Sequence, residues 1–463
     1  MRHNRKLFKN QHHKYPLFVL IAIITITLGL ISIAGTNNAS TLSVYASPPF
    51  MATGFFHTAF KNGRWWLVTP DGYPFYISGV DHVSSSPDVD RTTNQCPYCE
   101  AIAAQYPNVG AWETATVQQL RSWGFNALGP WSDSSLFDKM PYTILLSMAS
   151  GSDWFANSFV TNAYQQAKTQ VAPYKNDPNL IGYFTDSELR WGPDWTSQLS
   201  LLDAYLRLPL GSPGRAVAMR YVHNPSGFET ALAQRYFSVT TAAIRSVDPN
   251  HMILGVKMIA QLATKSLLEV ASKYVDCFSI DDYTVIPLIN NLLPSTWPSF
   301  IKVQDNLAGI YKFVHKPLII GEYSFRASGG NDPNTWPPIY PTYPNQTARA
   351  TAYTNYVSSL YKSPYIVGDF WFEYVDEPPG GRFDGENSDF GLVSTSNVPW
   401  TALVDAATQM HQNAPDRVAD PNEICWLWQY TTGGVTCKQT YPVCPNATPL
   451  GPQLTDWPYC KLE

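Results

Sequence analysis

Apolar runs of strand length recur along this chain, with amphipathic stretches between them. The runs are Phe75–Asp81, Phe125–Trp131, Thr143–Met148, Ile181–Glu188, Met252–Met258, Asp276–Tyr283, Pro317–Ser324 and Ile366–Tyr374. Most are followed by a helical pattern, clearest at Thr116–Trp123, Phe159–Val171, Phe228–Val247, Lys302–Val314 and Ala350–Tyr361. Strands alternating with helices imply parallel pairing, and eight such units predict a closed α/β fold, the (β/α)8 TIM barrel. Near-continuous apolar runs such as "PLIIG" fit strands buried on both faces. Upstream, "FKNGRWWLVTPDGYPF" carries turn signals at Asn62-Gly63 and Asp71-Gly72, which predict a small β-hairpin closing the barrel floor.

The two ends of the chain break the pattern. Arg2, Arg5, Lys6, Lys9 and Lys14 precede a continuous apolar stretch, Leu17–Ala34, with a small-residue cleavage point at Ala46. Residues 1–46 therefore read as an export signal or an uncleaved anchor, and the body as extracellular. Residues 47–415 form the expected barrel domain. Residues 416–463 form a short Pro-rich extension, expected to pack on the barrel and to be stapled by cysteines. Cys425, Cys437, Cys444 and Cys460 lie there, while Cys96 and Cys99 form "CPYC". In an exported chain these six predict up to three disulfides, and Cys277, inside an apolar run, a buried thiol. The terminal cysteines are separated by 11, 6 and 15 residues and lack the paired spacing of zinc ribbons.

Composition changes the picture in one respect. A net charge of −5 without a basic patch argues against nucleic acid as a partner. Aromatic residues make up 14% of the chain, with 15 Trp and 27 Tyr, which suits stacking on flat apolar faces such as those of sugar rings.

Catalytic groups of such barrels sit where strands end. The ends of these runs carry Asp81 and His82; Asn126, Trp131 and Ser132; Asp186, Ser187 and Glu188; Asp281, Asp282 and Tyr283; Glu322; and Trp371 and Glu373, followed by "DEPPGGRFDGEN". Glu188 and Glu322 each interrupt an apolar strand, the fourth and the seventh, across the barrel mouth from each other. Paired carboxyls so placed are the requirement of glycoside hydrolysis with retention: one protonates the leaving oxygen while the other attacks the anomeric carbon. No His-rich strand end accompanies the acids, so neither metal nor cofactor is expected.

The segments "GRWWLVTPDGYPFYISGVD", "WGFNALGPWSD", "DPNLIGYFTDSELRWG", "IIGEYSF" and "IVGDFWFEYVDEPPGGRFDGENSDFGLV" resemble glycoside hydrolase clan A, and within it the β-agarases of glycoside hydrolase family 50. The resemblance covers about Gly63 to Asp405. It implies that Glu188 is the acid/base, Glu322 the nucleophile, and Tyr283 the nucleophile's hydrogen-bond partner. It also implies Trp371 as the floor of the subsite holding the cleaved sugar, with Asp81, His82, Asn126, Trp131, Glu373, Arg382, Asp384 and Glu386 lining the cleft. The implied partner is a β-linked glycan, β-galactoside or agarose-like, with membrane contact only through the N-terminal segment; a non-catalytic sugar-binding barrel is the alternative. Three departures mark this chain. Ser187 stands where the clan has Asn. The Pro- and aromatic-rich loop after the seventh strand brings Trp336, Tyr340 and Tyr343 as a candidate stacking wall. The barrel is expected to start soon after the export signal, without the accessory N-terminal β-domain usual in those agarases.

Overall fold

The computed structural model describes residues 48–193, 197, 199–283, 307–330 and 333–418, and the backbone of two later strands. The leader at 1–46 and most of the cysteine-rich end therefore lie outside the described residues. Strands β1 (His57–Lys61) and β2 (Arg64–Val68) form an antiparallel hairpin about Asn62-Gly63, and β3 (Pro74–Phe75) pairs with β2 after the turn at Gly72. The barrel strands are β4 (Ile77–Val80), β5 (Ala127–Leu128), β6 (Tyr142–Leu145), β7 (Leu180–Ser187), β8 (Met252–Ile259), β9 (Phe278–Asp281) and β10 (Leu318–Tyr323). Two short strands, β11 (Arg326–Ala327) and β12 (Thr342–Tyr343), pair in the following loop, and β13 (Ile366–Trp371) completes the barrel. Its eight strands close in the order β10-β13-β4-β5-β6-β7-β8-β9, all neighbours parallel.

Helix boundaries follow side-chain caps. Asn108, Asn224 and Asn345 each accept a backbone N–H at the start of the helices Val109–Ser122, Pro225–Arg245 and Gln346–Lys362. Such caps satisfy donors that the first helical turn leaves unpaired. The Pro225–Arg245 helix buries Phe228, Leu232, Tyr236 and Val239, a stripe at three- and four-residue spacing that lies on the barrel's outer face.

Two apolar clusters separate inside from outside. The inner one joins Ile77, Ala127, Ile181, Phe184, Met252, Leu254, Cys277, Ile319, Val367 and Phe370 from the strands with Phe56 and Leu67 from the N-terminal segment. The hairpin thus closes the floor, tied further by the Trp65 N–H to the Pro364 carbonyl at 2.8 Å. Cys277 is a buried free thiol, as its apolar setting predicts. Cys96 and Cys99 are joined in a disulfide at the start of the helix Pro97–Gln105, within the barrel domain. Strands β14 (Glu423–Thr431) and β15 (Gly434–Pro442) form an antiparallel hairpin, but the pairing of Cys425, Cys437, Cys444 and Cys460 lies outside the described residues.

Candidate active site

The residues at the C-terminal ends of the strands converge on one cleft, and its centre is charged. Glu322, near the end of β10 and 6% exposed, has both carboxylate oxygens occupied. The Tyr283 hydroxyl donates to Oε2 at 2.8 Å, and the Lys257 ammonium meets Oε1 at 2.6 Å. Burial, reinforced by the Glu322 charge, pushes the Tyr283 phenol well above its ordinary value, so it stays protonated as a donor. Lys257 is 0% exposed and also pairs with Asp81 Oδ2 at 3.2 Å. Burial alone would lower its pKa; the charges of Asp81 and Glu322 outweigh that and raise it. Burial raises Asp81 to about 8 and Asp281 well above the usual carboxylate range. Glycine makes this crowding feasible. A Cβ at Gly129 would lie 1.7 Å from Asp81 Oδ1, and one at Gly321 would lie 2.6 Å from Asp281 Oδ1.

Glu188 follows β7 directly. Its N–H bonds the Lys257 carbonyl at 2.8 Å, and its φ is 46°. One nearest oxygen from each of Glu188, Glu322 and Asp281 can be chosen so that all lie within 4.8 Å of one another. Glu188 is open to cleft solvent, yet enough protein surrounds it that poor solvation, then the Glu322 charge, pushes its carboxyl up to about 8. The solvent it still meets tempers that rise. His82 at φ 56° and Trp131 at φ 62° share the left-handed backbone of Glu188. Such conformations in residues other than glycine are costly and gather at functional sites. Behind Glu188, Asp186 accepts the Met148 and Ala149 N–H groups at 2.9 and 3.0 Å and the Tyr236 hydroxyl at 2.5 Å. That clamp fixes the strand end carrying the acid. Ser187 sits between the two acids, half-buried and opposite Lys257 in the β7–β8 register.

A second charged group forms the adjoining wall. His82 Nδ1 lies 2.5 Å from Glu373 Oε2 and 3.7 Å from Asp88. Burial opposes protonation of His82, but the Glu373 and Asp88 charges prevail and raise its pKa. Arg382 meets Glu386 at 2.7 Å, Asp384 at 3.2 Å and Glu377 at 3.4 Å, and lies 5.5 Å from the Phe372 ring centre. Trp131, 45% exposed, offers an aromatic face to the cleft; Lys257 Nζ is 4.5 Å from its ring centre and Phe372 packs against it edge-on. Tyr340 stacks on Tyr283 with ring centres 5.1 Å apart.

Some expected site residues fall elsewhere. Trp371 is 0% exposed, donates its indole N–H to the Phe390 carbonyl at 2.9 Å, and packs among Tyr323, Phe325 and Tyr353. It therefore offers no floor to a sugar. The reason is strand parity: Phe370 points inside the barrel, so Trp371 points out. Asn126 lies at the start of β5, away from the cleft, where it clamps Tyr76 O and the Ser78 N–H at 2.8 and 2.9 Å. Tyr343 packs edge-on against Phe325. Trp336, in the loop between β11 and β12, instead stays 52% exposed, its N–H bonded to Asn387 Oδ1 at 2.9 Å, next to Glu386 of the cleft wall.

Lys257, Asp88, Phe372 and Glu377 belong to the cleft and are absent from the sequence-derived set. A lone lysine inside "MILGVKMI" was the available signal for the first. Among the described residues, two groups have the donor types for a cation: Glu188, Asp281 and Glu322, and His82, Asp88 and Glu373. In the first the Lys257 ammonium is already the cation, and in the second His82 Nδ1 is committed to Glu373.

An eight-stranded parallel barrel with a close carboxylate pair at its C-terminal mouth is thus what the chain builds. No protein-family model matches it. Among curated proteins it is similar to β-agarase B of a Vibrio species, at 24% identity over 83% of this chain and 51% of that protein. It is similar also to β-agarase A of the same source, at 25% identity over 76% of this chain and 44% of that protein. The chain therefore spans about half the length of the curated relatives it matches. A crystal structure of an agarase superposes with TM-score 0.66 at 24% identity, covering 80% of this chain and 64% of that one. An exo-β-agarase does so with TM-score 0.66 at 22% identity, covering 81% and 67%. By sequence the chain is similar to these β-agarases, and its barrel has the fold of the solved agarase structures.

Proposed function

We propose that this protein is an extracellular retaining hydrolase of β-linked glycans, of agarose-like or other β-galactoside type, built on the clan A plan. The observation that carries the reading is the carboxylate pair: nearest oxygens within 4.8 Å, one carboxyl raised to about 8 and the other held by two donors. Retaining enzymes place their carboxyls about 5–5.5 Å apart, too close to seat the water that direct inversion needs. Glu322 attacks the anomeric carbon, while protonated Glu188 gives its proton to the departing glycosidic oxygen. Ionised Glu188 then takes a proton from water, which attacks the glycosyl–Glu322 ester and frees the carboxylate. Trp131 is the aromatic platform. Similarity to β-agarases supports the β-galactoside choice, and the basic-then-apolar N-terminus supports export.

The test is hydrolysis of a panel of polysaccharides and aryl glycosides by wild type, Glu188→Ala and Glu322→Ala. The reading predicts cleavage of a β-galactan by wild type alone. It also predicts azide rescue of Glu322→Ala that yields the azide of opposite anomeric configuration. Binding without cleavage by wild type would instead mark a non-catalytic sugar-binding barrel.

A further inference from the structure

Two donors hold Glu322, and the charged one reaches it only through an irregularity in its strand. Met252 and Leu254 of β8 point into the barrel, as alternation requires, but Val256 packs outside. The register with β7 slips between Tyr183↔Ile253 and Phe184↔Gly255, and Gly255 has φ 78°. One extra residue on β8 thus rephases the strand and turns Lys257 inward. Bulges of this kind re-aim side chains beside active sites. Gly255 fits because only glycine adopts that φ freely.

An ammonium turned inward here meets charge from every neighbouring strand. Glu322 lies at 2.6 Å from β10 and Asp81 at 3.2 Å from the end of β4. Asp281 of β9 and Glu188 after β7 belong to the same interacting set of charges. The Trp131 ring centre is 4.5 Å away and that of Phe184 5.7 Å. A buried cation without partners is costly, so this one is held in place by what it contacts. Its contacts join the two parts of the site that must agree in position, the attacking carboxylate and the exposed aromatic.

We propose that Lys257 is a positioning residue that pins the attacking carboxylate of Glu322 and the sugar platform of Trp131 to one buried ammonium. This rests on the hydrolase reading above. Lys257 acts through the Glu322 carboxylate that it contacts and has no bond-making step of its own. It orients Glu322 through the 2.6 Å ion pair and props the ring of Trp131 through a cation–π contact.

The experiment compares wild type with Lys257→Met and Lys257→Arg, each checked for folding by circular dichroism and thermal melting. For folded Lys257→Met, kcat is expected to fall on the order of 100-fold or more, the size seen for loss of one preorganised donor. The acid limb of its kcat/KM profile is expected to move up by about one pH unit or more, as loss of an adjacent opposite charge requires. Lys257→Arg should return the limb to its wild-type position. An arm independent of turnover titrates the Glu322 carboxyl by carbon-13 NMR, assigned by its loss in Glu322→Gln; the Lys257→Met titration should rise. If Lys257→Met does not fold, Lys257→Gln, which drops the charge and keeps a polar contact, is read the same way. A folded, charge-free variant with an unmoved acid limb and an unmoved Glu322 titration overturns the proposal, whatever its melting temperature. A wild type that cleaves no glycan defeats the hydrolase reading, while the NMR arm still decides the Lys257 contact.

Discussion

The two ends of the barrel use the same strands for opposite purposes. At the floor, Ile77, Ile181, Met252, Ile319 and Val367 pack with Leu67 of the hairpin into an apolar plug. At the mouth, a few residues further along, Asp81, Glu188, Lys257, Asp281 and Glu322 crowd together, and Asp81 Oδ1 and both oxygens of Asp281 are buried without a hydrogen-bond partner. Burial of apolar area stabilises the fold. Burial of ionisable groups works against it, and such a cost persists where chemistry uses it. The floor therefore holds the strands in register so that the mouth can keep charges where water would otherwise separate them.

This contrast breaks most sharply by substitution at the two ends. Glu322→Gln should abolish hydrolysis by on the order of 10⁴-fold or more while leaving the melting temperature near wild type, as expected when a group that acts as part of a unit is removed. Glu188→Gln should lose roughly 10²–10⁴-fold, the usual worth of a positioned acid/base, with aryl glycosides of good leaving groups least affected. Steady-state kinetics with thermal melting checks both. At the floor the balance reverses. Ile181→Ala, in the apolar plug, should cost about 2–5 kcal/mol of stability by cavity formation, read by denaturant unfolding, with catalysis largely kept in whatever folds.

The smallest effect concerns pH. Asp81 is raised to about 8, and Asp186 and Asp369 to about 7, each chiefly by burial. The folded chain thus holds protons that the unfolded chain gives up near pH 4, so these groups make stability fall as pH climbs toward 8. His82, raised by its acidic partners, loses its stabilising charge in the same direction. His411, whose burial lowers it to about 3, opposes them only below its ordinary 6.5. Melting temperature should therefore drop by a few degrees between about pH 6.5 and pH 8. Asp81→Asn should flatten part of that slope.

The barrel was legible because strands buried on both faces leave unbroken apolar runs, and each of the eight runs overlaps a barrel strand. The convergence of Glu188, Glu322 and Tyr283 at one end of the barrel was legible because polar groups at the ends of such runs have few structural uses. The floor role that the resemblance implied for Trp371 failed on parity: counting by twos from Phe370 puts Phe372, not Trp371, on the cleft side. Asn126 was misread because β5 begins one residue after it, which places it at the wrong end of the strand. Lys257 was invisible for a subtler reason. Regular alternation from Leu254 sends it outward, and only the bulge at Gly255 brings it in.

The central claim is that Glu188 and Glu322 act by double displacement, and the anomeric configuration of the first product tests it most directly. Proton NMR should follow the earliest seconds of hydrolysis of a β-linked oligosaccharide, before mutarotation. The account predicts that the new reducing end appears first as the β-anomer and then relaxes toward equilibrium. First appearance as the α-anomer would mean single-step inversion and would contradict the assignment of Glu322 as nucleophile.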